Sequence, residues 1–412
     1  MYNNNQPKDE RQENDERFES MLQKIQTRFK TYGYERIKTA AFEQYDFYAE
    51  TMDQLHRSQM VKLVDPSGDV LVLRPDVTIP LIKQLAEHNP NLQNERKLYY
   101  IQDVFRREPR VAQLTEQTQA GVEYFCERSP EKDAEVIAVA CHLLKDLGFS
   151  NIKIEVGHVG FLQSLLEQVD LTVDERIHLK DLIQSKNIAD IAPYLQVRTD
   201  DDIFIDACTK IPLLYGDPLQ VVARAEQVIC TEKMRETVQY VLNVYEMLKL
   251  YGLEKNIVLD LSLMNRMGYY SDMVFQGYVE SFGQPVLMGG RYNQLGKAFG
   301  GSLPAVGFAC TVDSLLTAQR TVHSYNQPMI DVCILYAEDE LQRAIERATL
   351  LRESNFSVVL VKRDDAHHMN RKVRYTVTIE QQLITTVKDG KTYNMEQFLQ
   401  VLENPCTEQE GT

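Results

Sequence analysis

The stretch from Gly289 to Leu316, GGRYNQLGKAFGGSLPAVGFACTVDSLL, narrows the choice of fold more than any other part of the chain. A buried strand (Val286 to Met288) leads into a Gly-Gly turn, a short amphipathic segment and a second glycine loop. Another buried strand, PAVGFACTV, follows and runs straight into a helix. Gly289, Gly290, Gly300, Gly301 and Gly307 mark places where the backbone turns sharply or where another group comes close to it. Spacing alone leaves two readings open: a hairpin with a packing glycine, or a glycine loop that cradles a nucleotide.

At 412 residues the chain is too long for one core and should divide into two or three domains. Hydrophobic content of 43% and charged content of 25% are ordinary globular values, so most of the chain should fold. No apolar run reaches the roughly 18 residues needed to cross a bilayer. The polar opening, MYNNNQPKDERQENDE, lacks an apolar h-region, so residues 1–16 read as a flexible leader and not a secretory signal. Seven scattered cysteines without any CxxC fit reduced thiols, neither zinc nor a disulfide framework, and a cytoplasmic location. Cys141, Cys208, Cys310 and Cys333 lie in apolar runs and read as core filler. A net charge of −15 opposes adhesion to nucleic acid or an anionic membrane, so neither is expected as a partner. The phosphate loop GxxxxGKS/T, HExxH and GxSxG are all missing from the sequence. His158 and the pair His367–His368 have no partner at metal-ligand spacing and read as structural or surface residues.

Along the chain, Phe18, Met21, Leu22, Ile25, Phe29 and Tyr32 recur at helical spacing, with Gly33 as the stop. The pieces MVKLVDPSG and DVLVLRPDV form a predicted hairpin around Asp65-Pro66-Ser67-Gly68, followed by a helix from about Ile79 to His88. The strand KLYYIQDVF, a polar loop EPRVAQLTEQT and the strand QAGVEYFCE come next, then a helix over 131–147. A mostly helical insertion is predicted at about 160–250. Strands return at IVLDLSL, YSDMVFQGYV and PVLMGG. The main body therefore reads as an antiparallel, hairpin-rich sheet with helices, drawing strands from 60–125 and 255–310. After a linker at 322–328, residues 329–412 alternate strand and helix as a small α/β domain with a partly parallel sheet. Its small basic cluster (Lys362, Arg363, Arg371, Lys372, Arg374) reads as a solvated surface.

Four blocks in order resemble the class II histidyl-tRNA synthetase core over about residues 15–320. LRPDVTIP (73–80) resembles that family's LRPE-G-T segment. VFRREP (104–109) with QAGVE (119–123) resembles its FR-x-E and Q-x-G-x-E pair. MNRMGYYSDMVFQGY (264–278) is similar to its histidine-specific RGLDYY block, and LMGGRYNQL with LPAVGFACTVDSLL to its third class motif. The fold implied is α+β: a class II aminoacyl-tRNA synthetase-like antiparallel sheet with flanking helices over 17–321, plus the C-terminal α/β domain. The resemblance places Asp76, Thr78 and Gln119 on a substrate α-amino group, and Glu123 and Tyr270 on the two imidazole nitrogens. It puts Tyr269 in the pocket wall, Arg106 near the carboxylate, and Gly289, Gly290, Arg291 and Tyr292 in the pocket floor. Free histidine presents a cation, an anion and two ring nitrogens, which this set complements. Without the resemblance, Arg106, Glu108 and Glu123 also fit ion pairs that bracket a hairpin.

The departures fall on the nucleotide half. Ser314 stands at the motif 3 arginine, Thr115 at a phosphate-binding arginine and Gln117 at a stacking aromatic. Asn265 replaces the arginine of the histidine block, Arg266 its usual glycine, and Ala40 the motif 1 proline. Uncharged side chains give a triphosphate no electrostatic stabilisation. A synthetase-like fold that keeps a histidine pocket and loses ATP activation resembles the regulatory subunits of ATP phosphoribosyltransferase. That resemblance implies a chain with no catalytic residues, no cofactor and no metal. It also implies a homodimer of the core, a short catalytic subunit as partner in a hetero-octamer, and L-histidine as feedback effector. A divergent histidyl-tRNA synthetase and a synthetase-like tRNA-sensing module are the competing expectations.

Overall fold

The computed structural model describes residues 8–403 except 52–57, 89–93, 109–112, 265–268, 323–329, 369–372 and 381–382. Two compact units result, Met1–His323 and Ser324–Thr412. The expected linker lies outside the described residues apart from Val322, which ends the Val312–Val322 helix.

The first unit is built on a nine-stranded sheet. Its strands are β1 (Glu35–Arg36), β5 (Arg96–Glu108), β6 (Gln113–Phe125), β7 (Ile152–His158) and β8 (Tyr215–Gly216). The chain adds β9 (Ile257–Asp260), β10 (Met273–Val279), β11 (Leu287–Tyr292) and β12 (Ala305–Thr311). Their spatial order is β1-β5-β6-β12-β11-β10-β7-β9-β8, antiparallel except at the β1–β5 and β7–β9 pairs. A separate three-stranded sheet holds β2 (Phe42–Gln44), β3 (Lys62–Val64) and β4 (Val70–Leu73). The predicted 60–75 hairpin is therefore real but does not join the main sheet. The strands are only three and four residues long, and β4 already pairs on both edges, with β2 and β3.

Helices cover one face. The Pro130–Asp146 helix starts as its sequence directs, with Pro130 in its first turn beside Glu131 and Asp133. Gly148 closes it at φ 94°. The first helix, Lys8–Thr31, seats Met21, Ile25 and Phe29 against this core at a four-residue spacing. Arg28 Nε donates to Asp146 at 2.6 Å, tying the two helices together. The helix begins at Lys8, nine residues earlier than expected, so half of the predicted leader is helical; residues 1–7 lie outside the described set. Polar composition hid this helix, whose first buried residue among those described is Met21.

Two further expectations change. The predicted loop 108–118 is mostly strand, because β5 and β6 form a long hairpin whose register extends to Glu108 opposite Gln113. Polar residues alternate along it without interrupting the ladder. In the insertion, three helices (Ile188–Gln196, Asp202–Lys210 and Pro218–Ala225) accompany the longer ones read from periodicity. These are eight or nine residues long, too short to register against a helical period.

In the second unit β13 (Ile330–Tyr336) pairs parallel with β14 (Val358–Lys362) and β15 (Val373–Glu380). Antiparallel β16 (Leu383–Thr386) and β17 (Thr392–Tyr393) follow, with the Leu341–Glu353 and Met395–Glu403 helices. Part of the basic cluster is paired within the unit: Lys362 with Glu338 and Arg363 with Glu340.

One buried ion pair locks the main sheet to its helical layer. Arg291 on β11 and Asp133 on the Pro130–Asp146 helix are both fully buried, 2.6 Å apart. Tyr240 Oη donates to the second Asp133 oxygen at 2.8 Å. Removing one partner strands the other charge, so Asp133→Ala is expected to cost about 3–5 kcal/mol in urea unfolding. A loss below about 1 kcal/mol contradicts this role.

Candidate functional site

On the face opposite the helices, strand alternation empties a hollow. Glu123 on β6, Gly307 on β12 and Gly290 on β11 are consecutive cross-strand neighbours. The next row holds Gly121, Ala309 and Met288, and the row beyond pairs Gln119 with Thr311. Small side chains in adjacent strands leave space where a sheet would normally carry bulk. A Cβ on Gly307 would lie 1.9 Å from Glu123 Oε2, and one on Gly290 would lie 2.6 Å from the Tyr270 ring. The carboxylate and the ring occupy the volume that those glycines vacate.

Asp76, Thr78, Arg106, Gln119, Glu123, Tyr269 and Tyr270, the seven residues expected from the sequence, all line this one cavity of about 100 Å³. Three regions distant in sequence supply them: the start of the Thr78–His88 helix, the β5–β6 hairpin, and the segment before β10. Glu123 is buried, and its two oxygens accept from Thr78 Oγ1 at 2.7 Å and Tyr292 Oη at 2.6 Å. Asp76 Oδ1 accepts from the Ile79 amide at 2.8 Å, which caps the helix that begins there. Arg106 Nε donates to the Pro75 carbonyl at 2.7 Å, fixing the guanidinium beside the cavity. Gln119 Oε1 is buried and accepts no hydrogen bond from the described residues. Tyr269 and Tyr270 lean on each other at 4.7 Å between ring centres, and Tyr269 meets Tyr292 edge-on at 5.7 Å.

The predicted pocket floor, Gly289 to Tyr292, divides by strand parity. Gly290 and Tyr292 lie on the cavity side of the sheet but behind its lining, Gly290 under the Tyr270 ring and Tyr292 bonded to Glu123. Gly289 and Arg291 lie on the other side, which corrects the expectation for both. A Cβ on Gly289 would sit 2.4 Å from the Phe275 ring on the helical side, and Arg291 points to Asp133 there. Consecutive residues of a strand cannot share a face. The same parity, applied to QAGVE and AVGFACT, would have added Ala309 and Thr311 to the lining. Met288 belongs to that row as well.

Electrostatically the cavity suits a ligand that carries an ammonium. Arg106 is the single cation among its described lining residues, against carboxylates at Asp76 and Glu123. At the nucleotide positions, Thr115 Oγ1 donates to the Arg106 carbonyl at 3.0 Å, and Asp313 beside Ser314 accepts from the Thr118 amide at 3.1 Å. Both groups are used within the fold, and Asp313 adds a negative charge near the hairpin. Asn265 and Arg266 lie outside the described residues.

The family profile described as histidyl-tRNA synthetase matches residues 8–315. An ATP phosphoribosyltransferase regulatory subunit from Oceanobacillus iheyensis is 43% identical over 344 residues, 83% of this chain and 84% of that protein. Another, from Ruminiclostridium cellulolyticum, is 31% identical over 337 residues, covering 81% of this chain and 80% of its own length. The chain belongs to the ATP phosphoribosyltransferase regulatory subunits. Its fold is that of the synthetases. A crystal structure described as an ATP phosphoribosyltransferase regulatory subunit/histidyl-tRNA synthetase from Bacillus halodurans superposes with a TM-score of 0.75 at 27% identity, covering 88% of this chain and 93% of that one. Histidyl-tRNA synthetase from a Nostoc species reaches 0.77 at 16% identity over 97% of this chain and 100% of that one, a likeness of fold alone.

For a regulatory subunit the cavity keeps an unusual acid. Burial pushes the Glu123 carboxyl up to about 7; the Tyr292 and Thr78 hydrogen bonds oppose this, and the nearby Asp76 charge adds to it. A carboxyl that holds its proton more tightly folded than unfolded favours the fold at low pH. That contribution is lost as pH rises from the ordinary carboxylate range through 7. The ligand-free Glu123→Gln variant, always neutral, should therefore exceed wild type in urea-unfolding stability by about 2–3 kcal/mol at about pH 8. The gain should vanish at about pH 4, where the native carboxyl is neutral too. A wild-type advantage at the higher pH contradicts the assignment.

Proposed function

We propose that this chain is the histidine-sensing subunit of a two-part ATP phosphoribosyltransferase. It binds free L-histidine in the cavity around Glu123 and assembles with a short catalytic subunit. It activates that subunit for the first step of histidine biosynthesis, ATP and PRPP to phosphoribosyl-ATP, and imposes feedback inhibition when the cavity fills. The observation that carries the reading is the convergence of seven histidine-complementary residues on one cavity, with Arg106 the single cation among its described lining residues. Asp76 and the open Gln119 Oε1 offer acceptors to the α-ammonium, and Arg106 faces the α-carboxylate. Glu123 and Tyr270 take the ring nitrogens. With its carboxyl near 7, Glu123 either accepts from a ring N–H or donates to a bare ring nitrogen at neutral pH. An analogue lacking any of these groups leaves a buried partner unpaired, which is the physical source of selectivity.

The cavity's charge speaks against a polyphosphate ligand, and the nucleotide positions carry Thr115, Gln117 and Ser314 in place of cations and a stacking ring. The complex is a cytoplasmic hetero-octamer in this reading, with the core as a homodimer. The net charge of −15 supports a protein without nucleic-acid or membrane partners. Calorimetry with L-histidine tests the site: Glu123→Ala is expected to weaken binding by about 100-fold or more, with the fold retained by circular dichroism. Unchanged affinity removes the pocket assignment. In the same preparation, histidine-dependent ATP–pyrophosphate exchange should be absent; robust exchange restores the synthetase reading.

A further inference from the structure

Met264 and Asp272, which flank Tyr269 and Tyr270 in the chain, each connect to the helical insertion, Met264 directly and Asp272 by way of Arg128. On one side, the Gln184 amide, at the end of the Val173–Gln184 helix, donates to the Met264 carbonyl at 2.6 Å. On the other side stands Asp272, two residues beyond Tyr270. One of its oxygens lies 2.5 Å from His158 Nε2, and the other accepts from Arg128 Nε at 2.6 Å. The Arg128 guanidinium in turn lies over the ring of Tyr240, 3.4 Å from its centre. Tyr240 belongs to the longest insertion helix, Glu232–Leu250. The loop of contacts closes underneath: Tyr240 reaches Asp133, Asp133 holds Arg291, and the Arg291 carbonyl accepts from the Ser271 amide at 3.0 Å.

These links differ in how readily they can be made and broken. Asp133 and Arg291 are fully buried and fixed. Arg128 keeps 42% of its side chain exposed and borders a cleft of about 610 Å³, which Tyr240, Ser271 and Asp272 also line. Arg128 is thus a separable contact between the pocket segment and the insertion, and none of Gln184, Arg128, Tyr240 or Asp272 lines the histidine cavity.

We propose that the helical insertion transmits the state of the cavity, receiving it through the Gln184–Met264 and Asp272–Arg128–Tyr240 contacts. The inference rests on the histidine reading of that cavity. A ligand shifts a conformational balance only by the difference in its affinity for the two arrangements. Tyr269 and Tyr270 supply the difference here, because they line the cavity and Tyr270 stands two residues from Asp272, whose partner Arg128 packs on Tyr240 of the insertion. Arg128, Gln184 and Tyr240 act as positioning residues.

Hydrogen–deuterium exchange of the full chain, with and without L-histidine, tests this. Histidine should slow exchange in β6 and β12 and also in the Val173–Gln184 and Glu232–Leu250 helices. In Arg128→Ala the protection of β6 and β12 should persist while the response of Glu232–Leu250 is lost. Tyr240→Phe, which keeps the ring under Arg128, should retain that response. Gln184→Ala gives the parallel readout on the Val173–Gln184 helix should Arg128→Ala fold poorly. A purely structural role would loosen the helices equally with and without histidine, leaving the difference intact, and that result overturns the proposal. Wild-type protection confined to the cavity strands overturns it as well, while leaving the histidine reading in place. No protection anywhere refutes the histidine reading itself, and this inference falls with it.

Discussion

The Glu123 carboxylate organises the site because burying it is costly and the neighbouring residues are arranged around that cost. Two hydroxyls, from Thr78 and Tyr292, satisfy its oxygens, and Gly307 leaves it the room to lie flat on the sheet. Thr78 brings the Thr78–His88 helix to the sheet, and Tyr292 brings the aromatic cluster of Tyr269 and Tyr270. Even so the balance leaves the acid near neutrality, poised between its two protonation states. Such a group costs stability in the ligand-free protein, and in the proposed reading the ring of histidine makes use of it.

The same sheet presents opposite chemistry on its two faces. On the helical side the Arg291–Asp133 pair fastens the layers where no ligand reaches. On the open side glycine and alanine rows vacate a hollow. Strand parity alone sorts one from the other, so residues adjacent in sequence, Gly290 and Arg291, serve binding and anchoring respectively. In the proposed reading, uncharged residues at the nucleotide positions remove one half of a synthetase-like site and leave the amino-acid half.

Much of this was legible in the sequence. Motif order located the cavity and its seven principal residues, because each block has a distinctive composition with polar groups that a plain core would not contain. What escaped reading was set by pairing rather than by composition. The length of the β5–β6 hairpin depends on cross-strand register, which Thr115 and Gln117 do not advertise. The 60–75 hairpin forms its own sheet through β2, a partner only three residues long. Arg291 resembles a pocket residue until its face is assigned. The Asp272–Arg128–Tyr240 link joins residues far apart in the chain, and only the folded structure brings them together.

The central claim is that histidine acts through the Glu123 cavity on a separate catalytic subunit. The most direct test reconstitutes the short catalytic subunit with this chain and follows phosphoribosyl-ATP formation while L-histidine is added. The account predicts that the chain raises the rate of the catalytic subunit, that histidine inhibits the wild-type complex, and that a complex built with Glu123→Ala is still activated but resists histidine. Undiminished inhibition of the Glu123→Ala complex would contradict it.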